Sequence, residues 1–177
     1  MSKLIYLDNA ATTSVKPEVF EEMKPYYLEN YSNPSSVYSF AGEAKKAMED
    51  ARKVIADSLG AAATEIYFTG GGSESDNWVL KGVAEAYQSK GKHIITSKIE
   101  HHAILHTCEY LEKERGAKIT YLDVDENGVV DLDQLQKALE RAEARIGHPL
   151  YVISDEPYRE LVYDDNELPF MPAHVKN

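Results

Sequence analysis

Short β-branched runs alternate with helical stretches through the middle of this chain, and no other feature restricts its fold as strongly. His93-Ile94-Ile95-Thr96-Ser97, Lys118-Ile119-Thr120-Tyr121-Leu122 and Leu150-Tyr151-Val152-Ile153-Ser154 read as strands, and Ile66-Tyr67-Phe68 reads as an earlier one. Between them, Trp78, Leu80, Val83, Ala84 and Tyr87 recur at helical spacing, residues 103 to 115 form a second helical stretch, and Leu132, Leu135, Ala138, Leu139 and Ala142 mark a third. Helices that long between successive strands imply parallel βαβ connections. The expected fold class is therefore α/β, a three-layer αβα arrangement on a mostly parallel sheet of about four strands.

The remaining segments have simpler readings. Pro17 suits a first helical turn, and Val19, Phe20, Met23 and Tyr27 continue a helix to about Asn30, with Pro25 disturbing its middle. Asn33-Pro34-Ser35-Ser36 is turn chemistry opening a long helix that Gly60 ends. Asp131 with Gln134 resembles a capping box, and Asp125 to Gly128 is a turn. The tail from Tyr163, with Pro169 and Pro172, is expected to be irregular. At 177 residues the chain reads as a single α/β domain.

Charge and cysteine content exclude several functions. Nineteen basic against 30 acidic residues give a net charge of -11, which repels nucleic acid and anionic membrane surfaces. No apolar run approaches the length of a membrane span and the first residues lack a signal-peptide pattern, so the expected location is cytoplasmic. The single cysteine, Cys108, cannot form an internal disulfide, and its helical neighbours mark it as a small packing residue rather than a reactive thiol.

Ligands of open parallel sheets bind beyond the carboxyl ends of the strands, so the residues just after each strand carry the chemistry. Gly70-Gly71-Gly72-Ser73 leads into a helix whose first N–H groups, with the positive end of its dipole, form an anion site, and Ser73 is placed to cap that helix. Alone, these glycines equally suit an unliganded strand-to-helix turn. Glu100, His101 and His102 follow the second strand, and Asp155, Glu156 and Tyr158 follow the fourth. His102 and His106 share a helix face and with Glu100 imitate a metal site, but no third ligand stands at a convincing spacing and no metal is expected.

Several of these segments, in this order, resemble the cysteine desulfurase family: Tyr6-Leu7-Asp8-Asn9-Ala10-Ala11-Thr12-Thr13, Asn33-Pro34-Ser35-Ser36, Gly71-Gly72-Ser73-Glu74-Ser75-Asp76-Asn77 and Ile99-Glu100-His101-His102-Ala103. The similarity runs from about Lys3 to Leu139. It implies a reduced large domain of the fold-type-I enzymes that use pyridoxal 5′-phosphate, with an amino acid as substrate if the chain is active. It also implies that Gly72 and Ser73 hold the cofactor phosphate, that His101 stacks on the pyridine ring and assists proton transfer, and that Asn9, Ala10 and Thr12 face the substrate.

From about Gly147 the likeness changes, and Ile153-Ser154-Asp155-Glu156-Pro157-Tyr158-Arg159-Glu160-Leu161-Val162-Tyr163 resembles class I aminotransferases. That resemblance implies that Asp155 pairs with the pyridinium nitrogen and Tyr158 with the ring 3-hydroxyl. A carboxylate there keeps the nitrogen protonated, so that the ring acts as an electron sink. The Schiff-base lysine and the nucleophilic cysteine of the desulfurases have no counterpart in the chain, and Cys108 does not fill the second role. Such a sequence reads as a chimera of two homologous pieces or a shortened chain, joined near residues 140 to 147. Its expected function is a remnant with a partial cofactor site and little or no turnover. The alternatives are a recombined scaffold without ligand, or a desulfurase completed by residues of another chain. The superfamily's strands between these segments are missing, which leads us to expect a strand order of 3-2-4-1. It also leaves apolar surface that favours self-association, for instance as a homodimer.

Overall fold

The computed structural model describes residues 5–9, 11–146, 150–158, 162 and 164. They belong to two compact units, Met1–Phe68 and Thr69–Asn177.

In the first unit, α1 spans Pro17–Leu28, with Pro17 in its first turn and Pro25 inside it; it ends two residues short of the expected Asn30. None of its residues is buried, and Val19, Phe20, Met23 and Tyr27 are exposed. The turn at Asn33 is closed by its own side chain, which accepts from the Ser35 N–H at 2.9 Å. Helix α2, Ala41–Leu59, starts later than that turn and ends where Gly60 takes a left-handed φ of 69°, as expected of a glycine C-cap. A single 3-10 turn, Ala63–Glu65, follows, with Glu65 accepting from the Ala62 N–H at 2.7 Å. Ile66-Tyr67-Phe68 pairs with no strand among the described residues. Instead, the Ile66 carbonyl accepts from Arg52, whose guanidinium lies 4.9 Å from the Phe68 ring centre.

The second unit contains helix α3 (Gly72–Ala86), strand β1 (His93–Ser97), helix α4 (His102–Arg115), strand β2 (Lys118–Leu122) and helix α5 (Leu132–Ile146). Strands β1 and β2 run parallel with His93 opposite Lys118 and Ser97 opposite Leu122, so the βαβ expectation holds for these two. The expected sheet of four strands in the order 3-2-4-1 is not found: the described residues form a two-stranded sheet, and Leu150 to Ser154 is irregular chain. Apolar β-type residues form a strand only when a neighbour supplies the ladder. Ile66–Phe68 and Leu150–Ser154 lack one here.

Leu80 of α3, Ile104, Cys108 and Leu111 of α4, and Ala117 ahead of β2 form the buried cluster, with Ala84, Ile94 and Ile119 packed against it. Cys108 has no exposed surface, in keeping with a packing role, and burial pushes its thiol up to about 11. Helix α4 closes at Gly116, whose φ of 66° is left-handed. Farther on, the Asp125 side chain accepts from Asn127 and Val129 N–H groups at 2.8 Å each and closes the expected turn. Half of the capping box forms: Asp131 accepts from the Gln134 N–H at 2.9 Å. The Gln134 side chain does not reach back. It bonds the Asp123 N–H at 2.7 Å and the Asp123 carboxylate at 3.2 Å, tying α5 to the end of β2. Among the described residues no helix is long and apolar enough to cross a membrane.

Candidate functional site

The glycine corner begins the site. Helix α3 starts at Gly72, two residues earlier than a Ser73 cap requires, so Gly71 is the N-cap and Ser73 lies inside the first turn. Glu74 instead accepts from the Gly70 N–H at 2.6 Å. The N–H groups of Glu74 and Ser75 both point to the Gly71 carbonyl at 3.1 Å. Gly72 and Ser73, the first two helical residues, have no acceptor within the helix for theirs. A Cβ built on Gly71 or Gly72 would meet nothing within 4 Å, so the space before these donors is open. Two free N–H groups, the Ser73 hydroxyl and the positive end of α3 make a donor set that fits a phosphate.

His101 caps α4. Its Nδ1 accepts from the Ala103 N–H at 3.1 Å, which orients the ring while leaving it exposed. Glu100 is held from β1, because the Ser97 hydroxyl donates to its carboxylate at 2.9 Å.

Asp76 connects these pieces. It stands one turn after Ser73 on α3 and is 8 % exposed, and no hydrogen-bond donor reaches its carboxylate among the described residues. Burial raises its pKa, Asp155 and Glu100 raise it further, and His101 opposes them. Asp76, Glu100 and Asp155 also line one cavity, whereas His101 does not. Motif reading gives Asp76 no role of its own. A signal for it existed, since Asp76, Leu80, Val83, Ala84 and Tyr87 form one helical stripe and Asp76 is its only charge.

Helices α3 and α4 are further joined by Thr107, whose hydroxyl donates to the Asn77 side-chain Oδ1 at 2.8 Å. Tyr158 is exposed. Asn9 and Thr12 are exposed loop residues of the other unit, and Ala10 lies outside the described residues, as do Arg159 to Leu161 and Tyr163 of the aminotransferase-like motif. His102 and His106 stack edge-on at 5.1 Å, and the described residues contain no group of three or more His, Cys, Asp or Glu able to hold a metal ion.

Comparison with known proteins decides the family. The pattern of the class-V aminotransferases matches residues 5–146, most of the chain. The chain belongs to the class-V aminotransferase family. Within that family it is similar to a cysteine desulfurase IscS of Clostridium botulinum (strain Kyoto / Type A2), 56% identical over 139 residues that make up 78% of this chain and 35% of the relative. The IscS of Methanosarcina thermophila is also 56% identical, over 78% of this chain and 34% of its own length. Among solved structures, a NifS-like protein superposes with a TM-score of 0.72 at 46% identity, covering 75% of this chain and 36% of that one. SspA in complex with cysteine gives 0.70 at 42% identity, covering 75% and 38%. These likenesses bear out the desulfurase resemblance and the α/β fold with its parallel pair. The chain spans about a third of the length of the relatives it matches.

Proposed function

We propose that this chain is a partial class-V aminotransferase unit that binds pyridoxal 5′-phosphate without a covalent bond and turns over little or nothing. The first turn of α3 supports this reading: the Gly72 and Ser73 N–H groups have no acceptor among the described residues, and Asp76, whose ionisation both His101 and Asp155 influence, follows one turn later. Gly72 and Ser73 would hold the phosphate, His101 would lie against the ring, and Asp155 would hold a proton on the ring nitrogen. Tyr158 would serve the ring hydroxyl. Asn9, Ala10 and Thr12 would serve an amino-acid substrate. The cofactor supplies an electron-withdrawing ring; the protein supplies orientation and charge.

Turnover is a separate matter. The lysine and cysteine on which desulfurases depend have no matching context in these 177 residues, so activity would need residues from a second chain or from an extension of this one. The exposed apolar residues of α1 favour a homodimer. Titrating pyridoxal phosphate while following the melting temperature tests the reading. A saturating rise is expected, reduced in Ser73→Ala, since removing a hydrogen bond to a charged group costs about 1.5–3 kcal/mol. Absence of a rise in the unsubstituted chain at high cofactor refutes it and favours a scaffold without ligand. Borohydride trapping with intact-mass analysis, alongside sulfide release from cysteine, separates binding from turnover.

A further inference from the structure

A cavity of about 560 Å³ lies along β1, bounded by α3, α5 and the irregular segment Leu150 to Asp155. Neither Gly72, Ser73 nor His101 lines it. Its volume falls in the ordinary range for small-molecule pockets. Its walls are apolar for most of their length, with Leu80, Ile94, Ile104 and Leu139 among them, and the aromatic pair Tyr87 and Tyr151 packs at 5.2 Å on one side. The two ends differ in charge. Lys90, Arg145, Asp76, Glu100 and Asp155 all line the cavity: Arg145 acts on His93 at the start of β1, whereas Glu100 is bonded to Ser97 at its end and, with the exposed Asp155, acts on Asp76. From His93 to Ser97 the strand advances about 13 Å, which sets the length over which the polarity reverses.

Asp76 makes the acidic end more than a solvated cluster. It is more than nine-tenths buried, lines the cavity and receives no hydrogen bond among the described residues. Glu100 is occupied by Ser97, and the other carboxylate, Asp155, has the same sign. A buried carboxylate without a donor is costly and is relieved either by taking up a proton or by receiving a cation. His101, exposed at the start of α4, is the group whose influence on Asp76 opposes that of the carboxylates.

We propose that this cavity binds an organic cation with an aromatic body, an aryl-alkyl ammonium, its nitrogen against Asp76 and Asp155 and its ring among the apolar walls. This goes beyond the pyridoxal phosphate reading, with which it shares Asp155, because the ligand needs no phosphate and the first turn of α3 takes no part. An ammonium at this end supplies the donor that Asp76 lacks among the described residues and the positive charge that offsets Asp155. The aromatic body fits the Leu80, Ile94 and Leu139 walls.

Calorimetric titration of the full chain with tryptamine, its neutral counterpart tryptophol and the anion indole-3-acetate tests the proposal, because the three share one ring and differ in charge. Tryptamine is expected to bind at least about tenfold more tightly than tryptophol, with indole-3-acetate weakest. Asp76→Asn should abolish that preference while leaving tryptophol unchanged, and Ser73→Ala should leave tryptamine binding intact even where it weakens pyridoxal phosphate. Equal binding of all three probes, or no binding of tryptamine at millimolar concentration, overturns the proposal. The comparison of probes on the unsubstituted chain decides the matter even if Asp76→Asn fails to fold.

Discussion

Leu111→Ala is the sharpest test of how the second unit holds together. Leu111 is 2 % exposed and packs with Leu80, Ile104, Cys108 and Ala117, residues held in place by α3, α4 and the start of β2. The substitution removes three buried carbons, a loss of roughly 2–2.5 kcal/mol in transfer free energy. The neighbours lie on regular elements and cannot close the gap, so a cavity contribution should bring the total to about 3–4 kcal/mol. The Leu111 carbonyl, which accepts from the Gly116 and Ala117 N–H groups, is unaffected, so the effect isolates packing from the helix cap. A domain of this size has only about 5–15 kcal/mol of stability, so the variant should lose a large part of it. Urea unfolding followed by far-ultraviolet circular dichroism would show a lower midpoint at unchanged slope. Val129→Ala, at a residue 58 % exposed, should change stability by less than about 0.5 kcal/mol. If Leu111→Ala costs no more than Val129→Ala, the cluster is not the core of this unit.

Other consequences can be checked with equal directness. Cys108 should resist alkylation under native conditions at pH 8 and react once urea unfolds the chain, because its thiol is buried and pushed up to about 11. Asp76 has a raised folded-state pKa, so the folded state loses stability as pH rises from the ordinary carboxylate value through the raised one. Asp76→Asn should accordingly melt higher than the unsubstituted chain at pH 7 and no differently near pH 3, where both side chains are neutral; a lower melting point at pH 7 would contradict the burial argument. Asp123 and Asp125 behave oppositely. Hydrogen bonding from Lys98 lowers the first and the Val129 N–H the second, so their contribution is present above the ordinary carboxylate value and lost on acidification; proton resonances of these two carboxyl groups should titrate below that value. Gly116→Ala should cost about 1–2 kcal/mol by thermal melting, since alanine must adopt the left-handed φ of 66°.

How far the sequence revealed the fold depended on the reach of each signal. β1, β2 and α4 were placed within about a residue because β-branched runs, helical spacing and Gly116 act locally and agree with one another. Leu150 to Ser154 carries the same β-type residues as β1, yet no ladder forms there, because pairing depends on a neighbouring strand that propensity cannot supply. The start of α3 lies two residues before the one a Ser73 cap predicts. Ser73 has the chemistry of a cap, but Glu74 reaching Gly70 does that work and moves the helix start to Gly72. For the candidate site, the strand-end rule points to Glu100, His101 and Asp155, whereas it passes over Asp76, inside a recognised motif, because what distinguishes that residue is burial. The missing reach-back of Gln134 has a similar origin: Asp123, 11 residues earlier in sequence, offers its side chain a better partner.

The bond from Thr107 to Asn77 has one more consequence. Thr107 is 3 % exposed and lies one and a half turns into α4, while Asn77 lies just past the first turn of α3 and also accepts from Lys81 at 2.7 Å. Unzipping either helix from its amino-terminal end breaks that shared bond and uncovers polar groups on both. The beginnings of α3 and α4 should therefore fray as a single event, their amide protons exchanging with solvent at matched rates. The glycine corner and His101 would then be made or unmade together, so that a guest meets the whole assembly or none of it.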